Sequence, residues 1–203
     1  MKLVSRTRVA LGFVFMLGAM ASTAAAQATD LFTATTVNMD PAGEELRFDL
    51  WRWSSEEDRQ SVLEVLMSPA AQESDEAELS ELIDLPTLGY VWPGSSGLGY
   101  SVKYAHRTQT SDGGEHITLV TNRRLGTYGR TSWRPTDAPA TPIRPFTVIE
   151  LRLDSNGKGE GKTSAATDIV FDASNGTVAL RDYDAEPVVL ESVKRKPPGY
   201  SGA

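Results

Sequence analysis

Over most of the chain, apolar and polar residues alternate with period two, the pattern of strands buried on one face. Residues 31–37 are rich in Thr and Val, and Leu46, Phe48 and Leu50 alternate with Arg47, Asp49 and Trp51. Similar stretches follow at 87–92, 99–110, 115–123, 146–154, 159–171, 177–183 and 187–193. Between them lie Asp112-Gly113, Asn156-Gly157 and Asn175-Gly176, dipeptides that accept the positive φ of a tight hairpin turn. The pattern predicts a mainly β, antiparallel domain of about eight or nine strands, barrel-like or sandwich-like. Closure into a barrel would remove the unpaired edges, and an open sheet packed against helices is the competing arrangement.

The alternation breaks once, after the second strand, in a helical insert over 54–84. Ser54 with Glu57 three residues on forms a capping box, and Glu56, Glu57 and Asp58 suit the positive end of a helix dipole. Val62, Leu63, Leu66 and Met67 recur at helical spacing until Pro69. A second, shorter helix is expected over about 74–84, burying Leu79, Leu82 and Ile83 before Pro86.

Register can be read from the apolar sets. In the hairpin around Asp112-Gly113, Tyr100, Val102, Tyr104 and His106 form the more apolar set and meet Ile117 and Leu119 if the turn has two residues. In that register His106 and His116 lie on opposite faces, so no metal site uses both. In the next hairpin Ile149, Leu151 and Leu153 fit opposite Ala165, Thr163 and Gly161, with a three-residue loop at Asn156-Gly157-Lys158.

The N-terminus adds a compartment. Lys2, Arg6 and Arg8 precede an apolar run of 9–20 and a small-residue end with Ala24 and Ala26, the layout of a secretory signal peptide over 1–26. The apolar run falls short of the roughly 20 residues a membrane-spanning helix needs. A soluble, secreted or periplasmic domain over 27–203 is therefore expected, with no membrane span after cleavage. Loss of the leader removes three basic and no acidic residues, leaving 17 basic against 27 acidic, net −10 in place of −7. Such a charge argues against nucleic acid as a partner. The chain has no cysteine, which excludes thiol catalysis and thiolate zinc sites and leaves stability to packing and hydrogen bonds.

Charge is unevenly distributed. The 54–84 insert has ten acids and one Arg, whereas the loop over 123–145 has five Arg, one acid, four Pro and two Gly. A loop of that length is functional or disordered. Its Arg123, Arg124, Arg130, Trp133 and Arg134 are candidates for contact with an anionic envelope or protein partner, against the plainer reading of a solvated or intramolecularly paired surface. The aromatic residues give a second candidate site. Trp51 and Trp53 share one face of their strand, and Tyr100, Tyr104 and His106 could line the same interior, where a small apolar or amphipathic ligand would sit. Packing beneath the helix that starts at Ser54 is the plainer account of the tryptophans.

Recognisable catalytic motifs are lacking. Gly161-Lys162-Thr163 ends like a phosphate-binding loop, but position 156 is Asn and strand follows where a helix is needed. Asp154, Asn156 and Lys158-Gly159 start like a calcium loop, yet Lys occupies a ligand position and Ala165 stands where a bidentate Glu is required. Gly94-Ser95-Ser96-Gly97 lacks the spacing of a nucleophile elbow. His106 reads as a hydrogen-bonded core histidine, with a hydrolase centred on it as an alternative. No cofactor and no metal are expected.

The segments LRFDLWRWSSEEDRQSVLEVL, LGYVWPG followed by GYSVKYA, DGGEHITLVTNRRL and FTVIELRLDSNGKGEGK resemble a family of secreted bacterial proteins of unknown function, over about 31–193. The resemblance implies export and a single domain, and supplies no catalytic residues. Three functions are thus open: an exported non-catalytic binding module, an envelope interaction module using the arginine-rich loop, and a hydrolase.

Overall fold

The computed structural model describes residues 29–40, 42–67, 82–94, 96–129, 133–135, 144–164, 169–172, 177–180 and 187–197. The leader over 1–26, Leu79, Arg130 and the Asn175-Gly176 turn lie outside the described residues.

Eight strands close into an antiparallel barrel. They are β1 (Asp30–Thr36), β2 (Glu45–Leu50), β3 (Gly89–Pro93), β4 (Tyr100–Gln109), β5 (Glu115–Thr121), β6 (Val148–Leu153), β7 (Lys158–Ser164) and β10 (Val188–Lys196). Around the ring the order is β1, β10, β7, β6, β5, β4, β3, β2, and β2 pairs back to β1. The stretch over 159–171, expected as one strand, divides into β7 and β8 (Ile169–Asp172). Among the described residues β8 pairs only with β9 (Thr177–Leu180), in a separate two-stranded sheet with β9 near β5.

Alternate residues of each strand fill the barrel. Phe32, Leu46, Phe48, Leu50, Val91, Tyr100, Val102, Ile117, Leu119, Ile149, Leu151 and Leu190 belong to one contiguous buried cluster. Polar outward positions such as Arg47, Asp49, Arg152, Lys158 and Glu160 complete the alternation. Apolar-in, polar-out is the reverse of a transmembrane barrel. Among the described residues no helix is long and apolar enough to cross a membrane.

Helix α1 (Glu56–Met67) builds a second core outside the wall. Val62, Val65 and Leu66 pack with Leu82 on Tyr104, Val120, Phe146 and Val148, on the outer face of β4, β5 and β6. The capping box sits one residue later than expected. The Ser55 hydroxyl accepts from the Asp58 N–H at 3.1 Å, and the Asp58 carboxylate accepts from the Ser55 N–H at 2.8 Å. Ser54 is taken by the wall: its N–H donates to the Ala105 carbonyl at 2.8 Å and its hydroxyl accepts from the Ala105 N–H at 3.0 Å. Of the second helix only 82–84 is described as helical; Leu82 is buried as expected, but Ile83 is exposed.

The hairpins show why register was harder to read than strand position. Thr110 and Gly114 close the β4–β5 turn by a 2.9 Å backbone bond, and Gly113 has φ +84°, so the loop has three residues and not two. This reverses the expected parity, pairing Arg107 with Ile117 and His106 with Thr118. A bulge between Val102 and Tyr104 then shifts the phase back. Tyr100 and Val102 therefore face the interior, whereas Tyr104 faces the second core. The β6–β7 loop has three residues as expected but one position earlier, Ser155-Asn156-Gly157, with Asp154 and Lys158 closing it. Leu151 consequently faces Gly161 and Ile149 faces Thr163, which preserves the opposition of large and small residues. A second bulge interrupts β10 at Ser192, whose φ is +52°. β4 and β10 stand four strands apart in a ring of eight, so the two bulges are diametrically opposed. Extra residues at two opposite points let a twisted sheet bend into a cylinder.

Candidate functional site

The five residues expected to line one ligand site occupy four environments. Trp51 lies outside the barrel, just beyond β2, and is 45% exposed. Trp53 packs on the core at the end where β1 begins. Its indole N–H donates to Asp30 at 2.9 Å, and the Arg107 guanidinium stacks over its ring at 4.7 Å. Tyr100 is buried at the opposite end, where its hydroxyl accepts from the N–H groups of Gly126 and Tyr128 at 3.0 and 3.1 Å. Tyr104 lies under α1, with its ring 6.2 Å from that of His106. No shared interior pocket unites them, because the bulge at Lys103 turns Tyr104 and His106 away from the face of Tyr100. Neither tryptophan belongs to the second core beneath α1.

Lys103 shows what that bulge achieves. Its side chain is buried, and the ammonium donates to the carbonyls of Ile83 at 2.9 Å and Leu85 at 2.6 Å and to the Thr87 hydroxyl at 3.2 Å. Burial lowers its pKa, with Asp84 acting in the opposite sense. The amine pins the segment leading into β3.

What the outer wall brings together is an aromatic strip that sequence reasoning did not assemble. Arg47 pairs across to Trp92, and Asp49 to Tyr90. Tyr90 meets Trp51 edge-on at 5.4 Å and Trp92 at 5.5 Å. The Arg47 guanidinium lies 5.5 Å from the Trp92 ring and donates to Asp49 at 3.3 Å. Trp92 lies against Gly99, where a Cβ would come within 3.0 Å of its ring. Leu98, 56% exposed, is the neighbour of Gly99 at the Trp92 end. The signal was present in GYVWP: Tyr90 and Trp92 alternate with Val91, so a strand with an apolar inner face carries large rings outside as well.

A polar group occupies another part of the wall. His106 pairs with Thr118, Thr118 with Glu150 and His116 with Thr108, so the two histidines share the outer face after all. The three-residue turn is the reason. Glu150 is buried, and its carboxylate lies 3.9 Å from the His116 Nε2. Among the described residues no group of three His, Cys, Asp or Glu is placed to hold a metal. Lys158 to Ser164 is strand, and Asp154 accepts from the N–H groups of Asn156 and Lys158 at 2.8 and 2.9 Å, an Asx-type turn.

The arginine-rich loop, where described, closes the barrel end beyond Tyr100. Leu125 is buried in the interior cluster and its N–H donates to the Thr147 hydroxyl at 3.0 Å. Tyr128 stacks on Tyr100 at 5.1 Å, Trp133 packs on the core, and Pro135 bridges to Met39. Arg124 is exposed, and Arg123 and Arg134 are half-buried.

No protein-family model matches the chain, and comparison with curated proteins and with solved structures found no match either.

Proposed function

We propose that this chain is an exported, non-catalytic binding module that takes a small apolar or amphipathic ligand on the outer strip formed by Trp51, Tyr90 and Trp92. The single observation that carries the reading is the 45% exposure of Trp51 at the end of a continuous run of rings. A large exposed indole beside Tyr90 costs solvation unless a contact recovers it, and exposed apolar strips mark interaction sites. The interior is already occupied by the chain's own side chains, so the wall is the better candidate than the lumen. Arg47 and Asp49 beside the rings offer one cation and one anion to the polar part of an amphipathic molecule.

Titration with anilinonaphthalene sulfonate, followed by tryptophan quenching, tests the reading. Saturable binding is expected in the mature protein and in a Trp53→Phe variant, whose substitution lies at the barrel end. Trp51→Ala should weaken binding about tenfold, the equivalent of roughly 1.4 kcal/mol. Unchanged binding in a folded Trp51→Ala protein would remove the strip from consideration.

A further inference from the structure

The aromatic strip is built as a platform and not as a cleft. A Cβ placed on Gly99 would lie 3.0 Å from each of Cδ2, Cε2 and Cζ2 of Trp92. Points equidistant from three consecutive atoms of a planar six-membered ring lie on the axis of that ring, so Gly99 sits beneath the centre of the Trp92 benzo ring. The indole therefore lies flat on the wall just before β4, one face covered and the other turned outward, and Trp92 is half-buried. The Arg47 guanidinium stands 5.5 Å from the ring centroid, beyond the roughly 3.5–4.0 Å of close contact, and leaves the ring centre uncovered. Tyr90 meets Trp51 at 5.4 Å and Trp92 at 5.5 Å, so the rings follow one another in a row. Strand register sets Arg47 directly beside Trp92 and Asp49 directly beside Tyr90. Their mutual bond, 3.3 Å long, uses the Arg47 Nε and the Asp49 Oδ2. Among the described residues the terminal guanidinium nitrogens and the Asp49 Oδ1 have no hydrogen-bond partner. The polar edge of the platform is thus neutral as a pair, yet offers both donors and an acceptor.

We propose that the occupant of the strip is a neutral oligosaccharide of β-linked, gluco-configured pyranose units, an inference that rests on the strip being the ligand site. Such a sugar ring carries its substituents around the equator, which leaves faces of axial C–H groups and a rim of hydroxyls, and it is amphipathic in that sense. The C–H face matches an indole laid flat, because the aromatic quadrupole is negative over the ring. Vicinal hydroxyls both donate and accept, which suits the Arg47 nitrogens and the Asp49 oxygen together. Charge balance decides against an ionic ligand: a carboxylate or ammonium head would meet one attractive and one repulsive partner side by side. The open, flat surface decides against an acyl chain, which is flexible and needs enclosure to bury its area. A pyranose is rigid and loses little freedom on stacking. A row of rings in place of a single one fits a chain of sugars better than a monosaccharide.

Isothermal titration with cellohexaose, paired with displacement of anilinonaphthalene sulfonate, tests the proposal. Cellohexaose should bind the protein and its Trp53→Phe variant alike and displace the dye. Its affinity should change by less than about twofold between low and high salt, because the ligand is uncharged. Trp92→Ala and Trp51→Ala should each weaken it about tenfold, as expected when a stacking aromatic is truncated. Gly99→Ala puts a methyl group under the Trp92 indole, tilts the ring off the wall and should weaken binding severalfold. Near-UV circular dichroism checks that each variant keeps the barrel, and if Trp92→Ala loses it Trp51→Ala and Gly99→Ala decide. Dye binding that is lost in Trp51→Ala, with no cellohexaose binding, overturns the oligosaccharide and leaves the strip as a ligand site. Failure of both probes overturns both readings. Cellohexaose binding that is unchanged in the folded variants, or that weakens severalfold with salt, overturns the proposal as well.

Discussion

The two ends of the barrel are closed by different physics. At the end where β1 begins, closure is electrostatic. Asp30 accepts from the Trp53 indole and lies 3.9 Å from the Arg107 guanidinium and 3.6 Å from that of Arg195. Arg195 in turn forms a two-pronged pair with Glu115. Two acids and two arginines balance, and both guanidiniums also lie over rings, Arg107 on Trp53 and Arg195 on Phe32. At the other end closure is apolar and main-chain: Leu125 enters the core, and Tyr100 and Thr147 accept backbone N–H groups from the loop. The difference teaches that one sheet can be finished by charge neutralisation where strands end in polar residues, and by a plugging loop where they end in apolar ones. The first closure should respond to salt; the second should not.

Leu125→Ala should have the largest effect. Truncating a buried leucine at the apolar end costs about 2–4 kcal/mol, and urea unfolding should give nearly the same loss at low and high salt. A loss that varies strongly with salt would erase the contrast between the ends. Asp30→Ala should cost less, roughly 1–3 kcal/mol, because it strands the Trp53 indole N–H and leaves two arginines under-compensated. Its penalty should shift with ionic strength, since these groups are partly exposed.

The smallest of the three effects concerns acid. The segment that leaves the polar end continues through Arg52 to α1, where the Arg52 hydrogen bond, with the Ser55 N–H and hydroxyl, holds the Asp58 carboxyl down at about 2 against the opposing effect of burial. The unfolded chain binds this proton first, near an ordinary Asp pKa of about 3.9. Stability from Asp58 is therefore fully present above about pH 4 and is lost as pH falls through about 2, amounting to roughly 1–2 kcal/mol. Asp58→Asn should show that much less acid destabilisation in urea melts. An identical acid profile in the variant would dissociate Asp58 from the closure of this end.

Much of the architecture was legible because alternation is local. Most strand positions, antiparallel pairing and the early helix follow from period-two patterning and turn dipeptides, whereas the choice of a closed barrel over a sandwich or an open sheet was settled only by the fold. The second core was also signalled, though unread: Ile117 to Val120 and Phe146 to Ile149 are short runs without strict alternation, as expected of strands covered on both faces. Of the candidate site only the outward Tyr90 and Trp92 of GYVWP were legible; the place of Trp51 beside them was not. Trp51 and Trp53 look equivalent along the strand, yet one meets Tyr90 outside and the other meets Asp30 at the barrel end. Their separation depends on where β2 stops, which no local pattern encodes.

The order of residues by itself determined which segments become strands, which residues carry enough apolar area to need burial, and where glycine permits a turn, since each depends on near neighbours along the chain. The folded barrel alone decided which face each residue joins beyond a bulge, and so the partners of Tyr104, His106 and Lys103. One inserted residue reverses every later side chain of a strand, and whether it is tolerated depends on closing the ring, a condition shared by all eight strands.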